Sequence, residues 1–462
     1  MTTPGLRRHD GALVDETIIA AFRSDFHGQI ILPSDPGYDA ARRIWNASID
    51  KHPGMIARCS GVADIVQAVT FARANNLLVS VRSGGHNVGG RALCDDGIVI
   101  DLSTMKGVFV DPRSRTVLVQ AGATLGDVDR ETHIHGLAVP LGVVSRTGVA
   151  GLTLGGGVGW LVRNYGLSCD NLLSCEVVTA DGKIVTANNE INPELFWGLR
   201  GGGGNFGIVT SLQFRAHPVS MVLGGLILHA RDQAGAVIRN YRSFMASAPE
   251  EVAAYAGLLS TPDGMPVVGM IVCYCGDLTE GERVLKPLRA FGSPLLDAVQ
   301  PMPFPAMQKL IDGAFPDGNH NYWKSTFLKE LSDEAIDLMI EQANRPHSPL
   351  TTVVIEFYGG APGRVGDADT AFAQRQAEYN VGILAQWTDA AESERHVRWA
   401  RDLSDALEPY SSGGYLLNFG SEENQDAIKT AFGSNHARLA ALKTRFDPTN
   451  FFSLTQNVLP AG

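Results

Sequence analysis

Short apolar packets separated by turn residues dominate the first 218 positions of the chain. "MIARC" reads as a strand and leads into "GVADIVQAVTFARANN", where Ile65, Val66, Val69, Phe71 and Ala72 recur at helical spacing. "LLVSVR" is a second strand, and "GIVIDLS", "GVFVDP" and "TVLVQAGA" are further short strands with turn residues between them. "TLGDVDRETHIHG" predicts a helix capped by Thr124 and stopped by Gly136. "SCEVVTADGKIVTA" predicts a hairpin turning at Asp181-Gly182, and "NPELFWGLR" a short helix before the strand "GIVTSLQFRAHPV". Ahead of all this, residues 17–45 read as mainly helical, then loop.

After about residue 218 the texture changes. Strand-like "LGGLILHA", "VVGMIVCYCG" and "TTVVIEFYGG" alternate with helical "DEAIDLMIEQAN" and "SERHVRWARDLSDAL". That alternation predicts a second α+β unit, a sheet with helices on one face. The chain ends in a helix stopped by Asp447-Pro448 and an extended tail.

Composition narrows the classes. With 462 residues, 44% hydrophobic and 19% charged, the chain has material for two or three packed domains. Its net charge of -11 comes with no basic run of five or more, which argues against a nucleic-acid partner. No apolar run approaches the roughly 20 residues of a membrane span. The start "MTTPGLRRHDGALVDE" has no apolar signal region, and polar residues follow Arg7 and Arg8. Six cysteines form no C-x-x-C pair and no zinc spacing, so no metal site is expected. These features predict free thiols and a cytoplasmic protein. The sequon at Asn46–Ser48 then carries no meaning, and the oligomeric state stays open.

Glycine is unusual in placement. Of 51 glycines, clusters fall at 84–90, 148–159 and 201–207. "GGGGNFG" holds Gly202, Gly204 and Gly207 at dinucleotide-fingerprint spacing, but a helix precedes it and a strand follows. The fingerprint needs the reverse order, which argues against a Rossmann site. Side-chain-free loops can still cradle a pyrophosphate with backbone amides. Three such loops within 125 residues favour a large phosphorylated cofactor over plain tight turns.

"VRSGGHN", "GVAGLTLGGGVGWLVRNYGLSCDNL", "LFWGLRGGGGNFGIVT" and the ending "FDPTNFFSLTQN" together resemble the berberine-bridge-enzyme-like flavoproteins. These belong to the vanillyl-alcohol-oxidase/p-cresol-methylhydroxylase superfamily. The resemblance runs from about residue 45 to 460 and is weakest in the middle. It implies an α+β fold with a two-part FAD-binding domain of the p-cresol-methylhydroxylase type. Residues 1–218 would form its first part and 414–462 its completion, with a substrate domain at 219–413. By position, Arg82, Ser83, Gly84, Gly85, His86 and Asn87 would contact the pyrophosphate, with His86 bonded to the flavin 8α-methyl. Thr147, Gly148, Gly151, Gly156 and Gly159 would line the flavin and ribityl side. Gly207, Ile208 and Val209 would lie by the adenine half, and Asn457 would reach the isoalloxazine edge. Some relatives carry a second, cysteinyl tether. Here Val144 stands at that place, so a single histidyl link is expected.

Such enzymes remove a hydride from a C–H bond next to O or N, with a base taking a proton where one is needed. Glu356 and Tyr358 share a strand face in "VVIEFYGG". A carboxylate in an apolar strand is costly unless paired, so it marks either a substrate pocket or an ion pair at a sheet edge. "NHNYWKS" sets His320, Tyr322 and Lys324 on alternate positions, either to bind a substrate ring or simply to pack. In "GGYLLNF", many relatives have a tyrosine base two places before the asparagine. This chain has Leu416 there, Tyr415 facing the other way, and a matching Asn418. The expectation is an oxidase acting on a small aromatic or heterocyclic secondary metabolite and reducing dioxygen to hydrogen peroxide. A dehydrogenase with another acceptor, a sugar oxidase and a non-catalytic flavin-binding protein are the alternatives.

Overall fold

The computed structural model describes residues 5–345, 348–421 and 424–461. Three sheets organise them. The first has β1 (Gln29–Ile31), β2 (Met55–Arg58), β3 (Val79–Arg82) and β4 (Ile98–Asp101) in the order β1-β2-β4-β3. β2, β3 and β4 run parallel, with the helix Val62–Ala74 crossing between β2 and β3. β1 was not foreseen within residues 17–45, because three residues are too few to show alternation. The rest of that stretch holds the helices Glu16–Asp25 and Tyr38–Arg42.

The second sheet is antiparallel. It contains β5 (Val108–Asp111), β6 (Thr116–Gln120), β7 (Leu172–Val178), β8 (Ile184–Asn188) and β9 (Ile208–Arg215), in the order β5-β6-β9-β7-β8. The β7–β8 hairpin turns through Gly182, whose φ of 78° suits glycine. Thr124 caps the helix Leu125–His133 in a reciprocal box with Asp127.

The third sheet has eight strands: β10 (Met221–Ala230), β11 (Val252–Ser260), β12 (Pro266–Tyr274), β13 (Leu296–Asp297), β14 (Gln300–Pro303), β15 (His320–Leu328), β16 (Thr352–Phe357) and β17 (Tyr379–Trp387). Its order is β13-β10-β12-β11-β16-β17-β15, with β14 also on β10. The helices Ala234–Met245, Asp333–Ala343 and Ser393–Leu407 bury Val237, Ile336 and Leu403 into one core with Val353 and Ile355 of β16. The other sheet face turns toward the first half.

The hydrophobic cores follow the same division. One runs through residues 6–216 and takes up Leu417, Phe432, Leu442 and Val458 from the C-terminal tail. The loop between β16 and β17 crosses over to it. There Ala371 joins that core, and the Arg375 guanidinium pairs with Asp170 at 2.7 Å. Asn46 is buried, with Nδ2 donating to the carbonyls of Val88 and Asn321, so the sequon is folded inside. Among the described residues no helix is long and apolar enough to cross a membrane.

Candidate active site

The three glycine loops and the free face of the large sheet enclose a cavity of about 390 Å³. Its first wall is the end of β3 and the following loop. Val79, Val81 and Ser83 face in, followed by Gly84, Gly85, His86 and Asn87. Strand alternation turns Arg82 the other way. Expected at a pyrophosphate, its guanidinium is instead buried against Asp101 and the Ala41 carbonyl. Burial pushes the Asp101 carboxyl up, but the hydrogen bond and charge of Arg82 outweigh it and leave it below the ordinary value.

The loops meet backbone to backbone. A Cβ on Gly84 would lie 2.5 Å from the Gly148 nitrogen, and one on Gly148 would lie 2.5 Å from the Gly84 nitrogen. Thr147, Gly148 and Gly151 line the cavity from the second cluster, and Gly207, Ile208 and Val209 from the third. Gly156 and Gly159 do not, contrary to expectation. A Cβ on Gly156 would strike the Phe372 ring at 2.7 Å, and one on Gly159 the Leu141 carbonyl oxygen at 1.9 Å. Both glycines serve close packing, while Gly155, Val158 and Trp160 face the cavity.

In the tail, Thr455 and Gln456 line the cavity and Asn457 does not. The Asn457 carbonyl instead accepts from Gln425 at 3.2 Å. Asn205, inside the third cluster, ties this tail down. Its Nδ2 donates to the Gln456 carbonyl at 3.0 Å, and its Oδ1 accepts from the Val458 N–H at 2.9 Å. Sequence reasoning missed Arg91, the sole Arg or Lys in the wall among the described residues, which donates to the Thr455 carbonyl at 3.1 Å. A cation directly after Gly89-Gly90 was the available signal.

His86 stacks on Trp45, with ring centroids 4.3 Å apart and planes 14° from parallel. Its Nε2 is shielded from solvent and has no hydrogen-bond partner. Burial, then the charge of Arg146, lowers its pKa to about 4, so the ring is neutral at neutral pH. Val144 lines the cavity, and none of the six free cysteines does.

The opposite wall is the sheet. Tyr255, Gly257 and Leu259 of β11, Gly269 and Ile271 of β12, and Thr352, Val354 and Glu356 of β16 face in, with Leu384 of β17 and Trp323 of β15. Phe315, Leu416 and Phe419 complete it from loops. Glu356 pairs in register with Tyr255 on one side and Asn380 on the other, so it sits in mid-sheet and not at an edge. It is buried and accepts from the Tyr358 hydroxyl and from Asn380 Nδ2, the latter at 2.7 Å. Burial pushes its pKa up to about 7, although both hydrogen bonds pull the other way. Tyr358 stands behind Glu356, outside the wall, and burial pushes its hydroxyl well above the ordinary range.

Two expectations fail on this sheet, both through period-2 geometry. Tyr322 points to the helix-covered face, where Arg401 Nε donates to its hydroxyl at 3.0 Å. Lys324, two positions on, reaches over the Tyr322 ring at 5.9 Å. Trp323 between them is the cavity residue. Asn418 does line the cavity, but its amide clasps the second glycine cluster. Nδ2 donates to the Leu152 carbonyl at 3.1 Å, and Oδ1 accepts from the Gly157 N–H at 3.4 Å. Leu416 faces in, while Tyr415 packs against the first core.

Glycine loops closed by a C-terminal tail, set against a sheet with one buried carboxyl, define an FAD-linked oxidoreductase. Comparison with known proteins agrees. Residues 53–188 match the FAD binding domain family, and residues 416–459 match the berberine and berberine-like family. An FAD-linked oxidoreductase of Dictyostelium discoideum is 32% identical over 421 residues, or 90% of this chain and 91% of its own. The (R)-6-hydroxynicotine oxidase of Paenarthrobacter nicotinovorans is 31% identical over 453 residues, or 94% and 97%. The crystal structure of 6-hydroxy-D-nicotine oxidase from Arthrobacter nicotinovorans matches with a TM-score of 0.88 at 30% identity, covering 95% of this chain and 99% of that one. The chain belongs to the berberine-bridge-enzyme-like FAD-linked oxidoreductases. The residues present fit the cofactor: side-chain-free loops open to the cavity, one cation in its wall and an unpartnered imidazole nitrogen.

Proposed function

We propose that the protein is an oxidase of a small aromatic or heterocyclic metabolite, taking a hydride from a C–H bond next to nitrogen or oxygen. Bound in the cavity, FAD supplies a two-electron acceptor, and dioxygen takes the electrons onward to give hydrogen peroxide. The observation that carries the reading is Glu356, one buried carboxyl facing a chamber walled, Thr352 and Asn418 apart, by apolar and aromatic side chains such as Tyr255, Ile271, Phe315, Trp323, Leu384 and Phe419. Aromatic and aliphatic walls suit a ring. They offer few partners to the hydroxyls of a sugar, which argues against the sugar-oxidase alternative.

The roles follow from position. Glu356 is ionised about half the time near pH 7 and accepts the N–H or O–H proton of the substrate at its carboxylate. Tyr358 and Asn380 hold that carboxylate in place. Ser83 to Asn87, Thr147, Gly148, Gly151 and Gly207 to Val209 hold the cofactor, with Arg91 balancing phosphate charge. His86, neutral and with a nitrogen free of protein partners, is the point of covalent attachment. Val144 leaves no second tether.

The test is made on the purified protein. Yellow colour should stay with the acid-precipitated wild type and wash out of His86→Ala. Oxygen uptake with matching peroxide should appear on a panel of aromatic amines and phenols that includes (R)-6-hydroxynicotine. Turnover with a dye acceptor but none with dioxygen would favour the dehydrogenase reading. A colourless protein would end the oxidoreductase reading altogether.

A further inference from the structure

We infer that Trp45 is the positioning residue for His86, and that it holds the imidazole on behalf of the substrate half of the molecule. The inference rests on the reading of His86 as the attachment point.

The stack places the indole flat on the imidazole, at 4.3 Å and 14°. A ring held flat in this way cannot tilt about its Cβ–Cγ bond without leaving its neighbour, so its plane keeps one orientation. Trp45 is itself buried and fixed from the other half. Its Nε1 donates to the Phe315 carbonyl at 3.0 Å, and its own carbonyl accepts from the Gly318 N–H at 3.2 Å. The Ala47 N–H donates to the Asn319 carbonyl at 3.0 Å, and Asn46 Oδ1 accepts from the Asn321 N–H at 2.9 Å. Trp323 of the substrate sheet meets the indole edge-on, at 5.1 Å and 69°. The segment 45–47 is therefore stitched to 315–323, and the stack carries that registry to His86.

Overall, attachment exchanges the imidazole N–H and one C–H of the cofactor's 8α-methyl for an N–C bond. Two protons and two electrons leave to dioxygen as hydrogen peroxide. The bond needs a neutral ring with a lone pair aimed at the methyl carbon. Trp45 serves both needs, because the indole covers one imidazole face and excludes water from it. Two charged groups act on this ring: Arg146, which disfavours its protonation, and Asp312, which favours it.

The experiment compares wild type, Trp45→Phe and Trp45→Leu as isolated. It reads total flavin by absorbance of the native protein and attached flavin by what stays with the acid-precipitated pellet. Trp45→Phe keeps a ring against His86 and should retain most of the attached fraction. Trp45→Leu should keep bound flavin yet lose attached flavin about ten-fold. Attachment in Trp45→Leu should also need a higher expression pH than in wild type, because water then reaches the imidazole and its pKa rises. Equal attachment in wild type and Trp45→Leu, with no pH difference, overturns the role of Trp45 and leaves that of His86 standing. So does equal loss in Trp45→Phe and Trp45→Leu, since the ring then makes no difference. Wild-type flavin that washes out overturns the His86 reading, and Trp45 with it.

Discussion

The two walls of the cavity are built from different parts of the peptide unit. The glycine-loop wall is mostly main chain: Gly84 and Gly148 touch through their backbones, and the loops around them offer amides instead of side chains. The sheet wall is mostly side chains, chosen every second residue along the strands. A backbone wall tolerates almost no added atom. A side-chain wall can be re-cut, because each residue is an independent choice on a scaffold fixed from behind by helices. The contrast teaches where this chain can accept a new side chain and where it has no room for one.

The largest effect expected is at the backbone wall. Gly148→Val sets new carbon against the Gly84 main chain and should cost about 1–3 kcal/mol. Little flavin should remain in the purified protein, and its melting temperature should fall steeply. Retention of a normal flavin spectrum would show that the loops can part, and would break the comparison.

Next comes the carboxyl. Glu356→Gln should lower kcat/KM by roughly 10² to 10⁴ while leaving bound flavin unchanged, as steady-state kinetics and absorbance can check. The same change bears on stability. The folded pKa of Glu356, about 7, lies above its ordinary 4.5. Its neutral form is therefore the one the fold favours, and stability present below pH 4.5 is lost as pH rises through about 7. The melting temperature of Glu356→Gln should gain on the wild type between pH 5 and pH 8. A constant difference would mean that the carboxyl titrates normally.

Tyr358→Phe sharpens the same point. The Tyr358 hydrogen bond lowers the pKa of Glu356, so its loss should move the rising limb of the pH–rate profile from about pH 7 to higher pH. A limb that stays put would assign it to another group.

Gly257→Leu tests whether the sheet wall can be re-cut. A Cβ there would meet nothing closer than 3.6 Å, so the fold and the flavin content should survive. Selectivity between small and bulky amines should shift by roughly ten- to a hundred-fold. The smallest effect is expected at Tyr322→Phe, on the helix side of the sheet. It loses the hydrogen bond from Arg401 and about 1 kcal/mol of stability, with turnover changed less than about two-fold. A large loss of activity would return Tyr322 to the substrate pocket.

Legibility followed the same contrast. The glycine loops could be read because glycine spacing is local: "VRSGGHN" brings Ser83 to Asn87 into the cavity wall wherever the rest of the chain goes. Errors there came from direction. Arg82 and Gly156 sit beside residues that face in but face away themselves, because successive side chains on extended chain diverge and because Phe372 arrives from a distant loop. On the sheet, alternation paired Glu356 with Tyr358, and Tyr322 with Lys324, but could not say which face of either strand was wet, apolar or covered.

What the sequence by itself determined was the order of elements, the two textures that meet near residue 218 and the glycine loops, because these depend on neighbours within a few residues. Only the tertiary structure decided which face of β15 and β16 looks into the cavity, since helices of the second half cover the other one. It alone set Asn380 beside Glu356, and Trp45 against His86. Those contacts join residues 24 and 41 positions apart. No local pattern records a neighbour that arrives through the packing of separate elements.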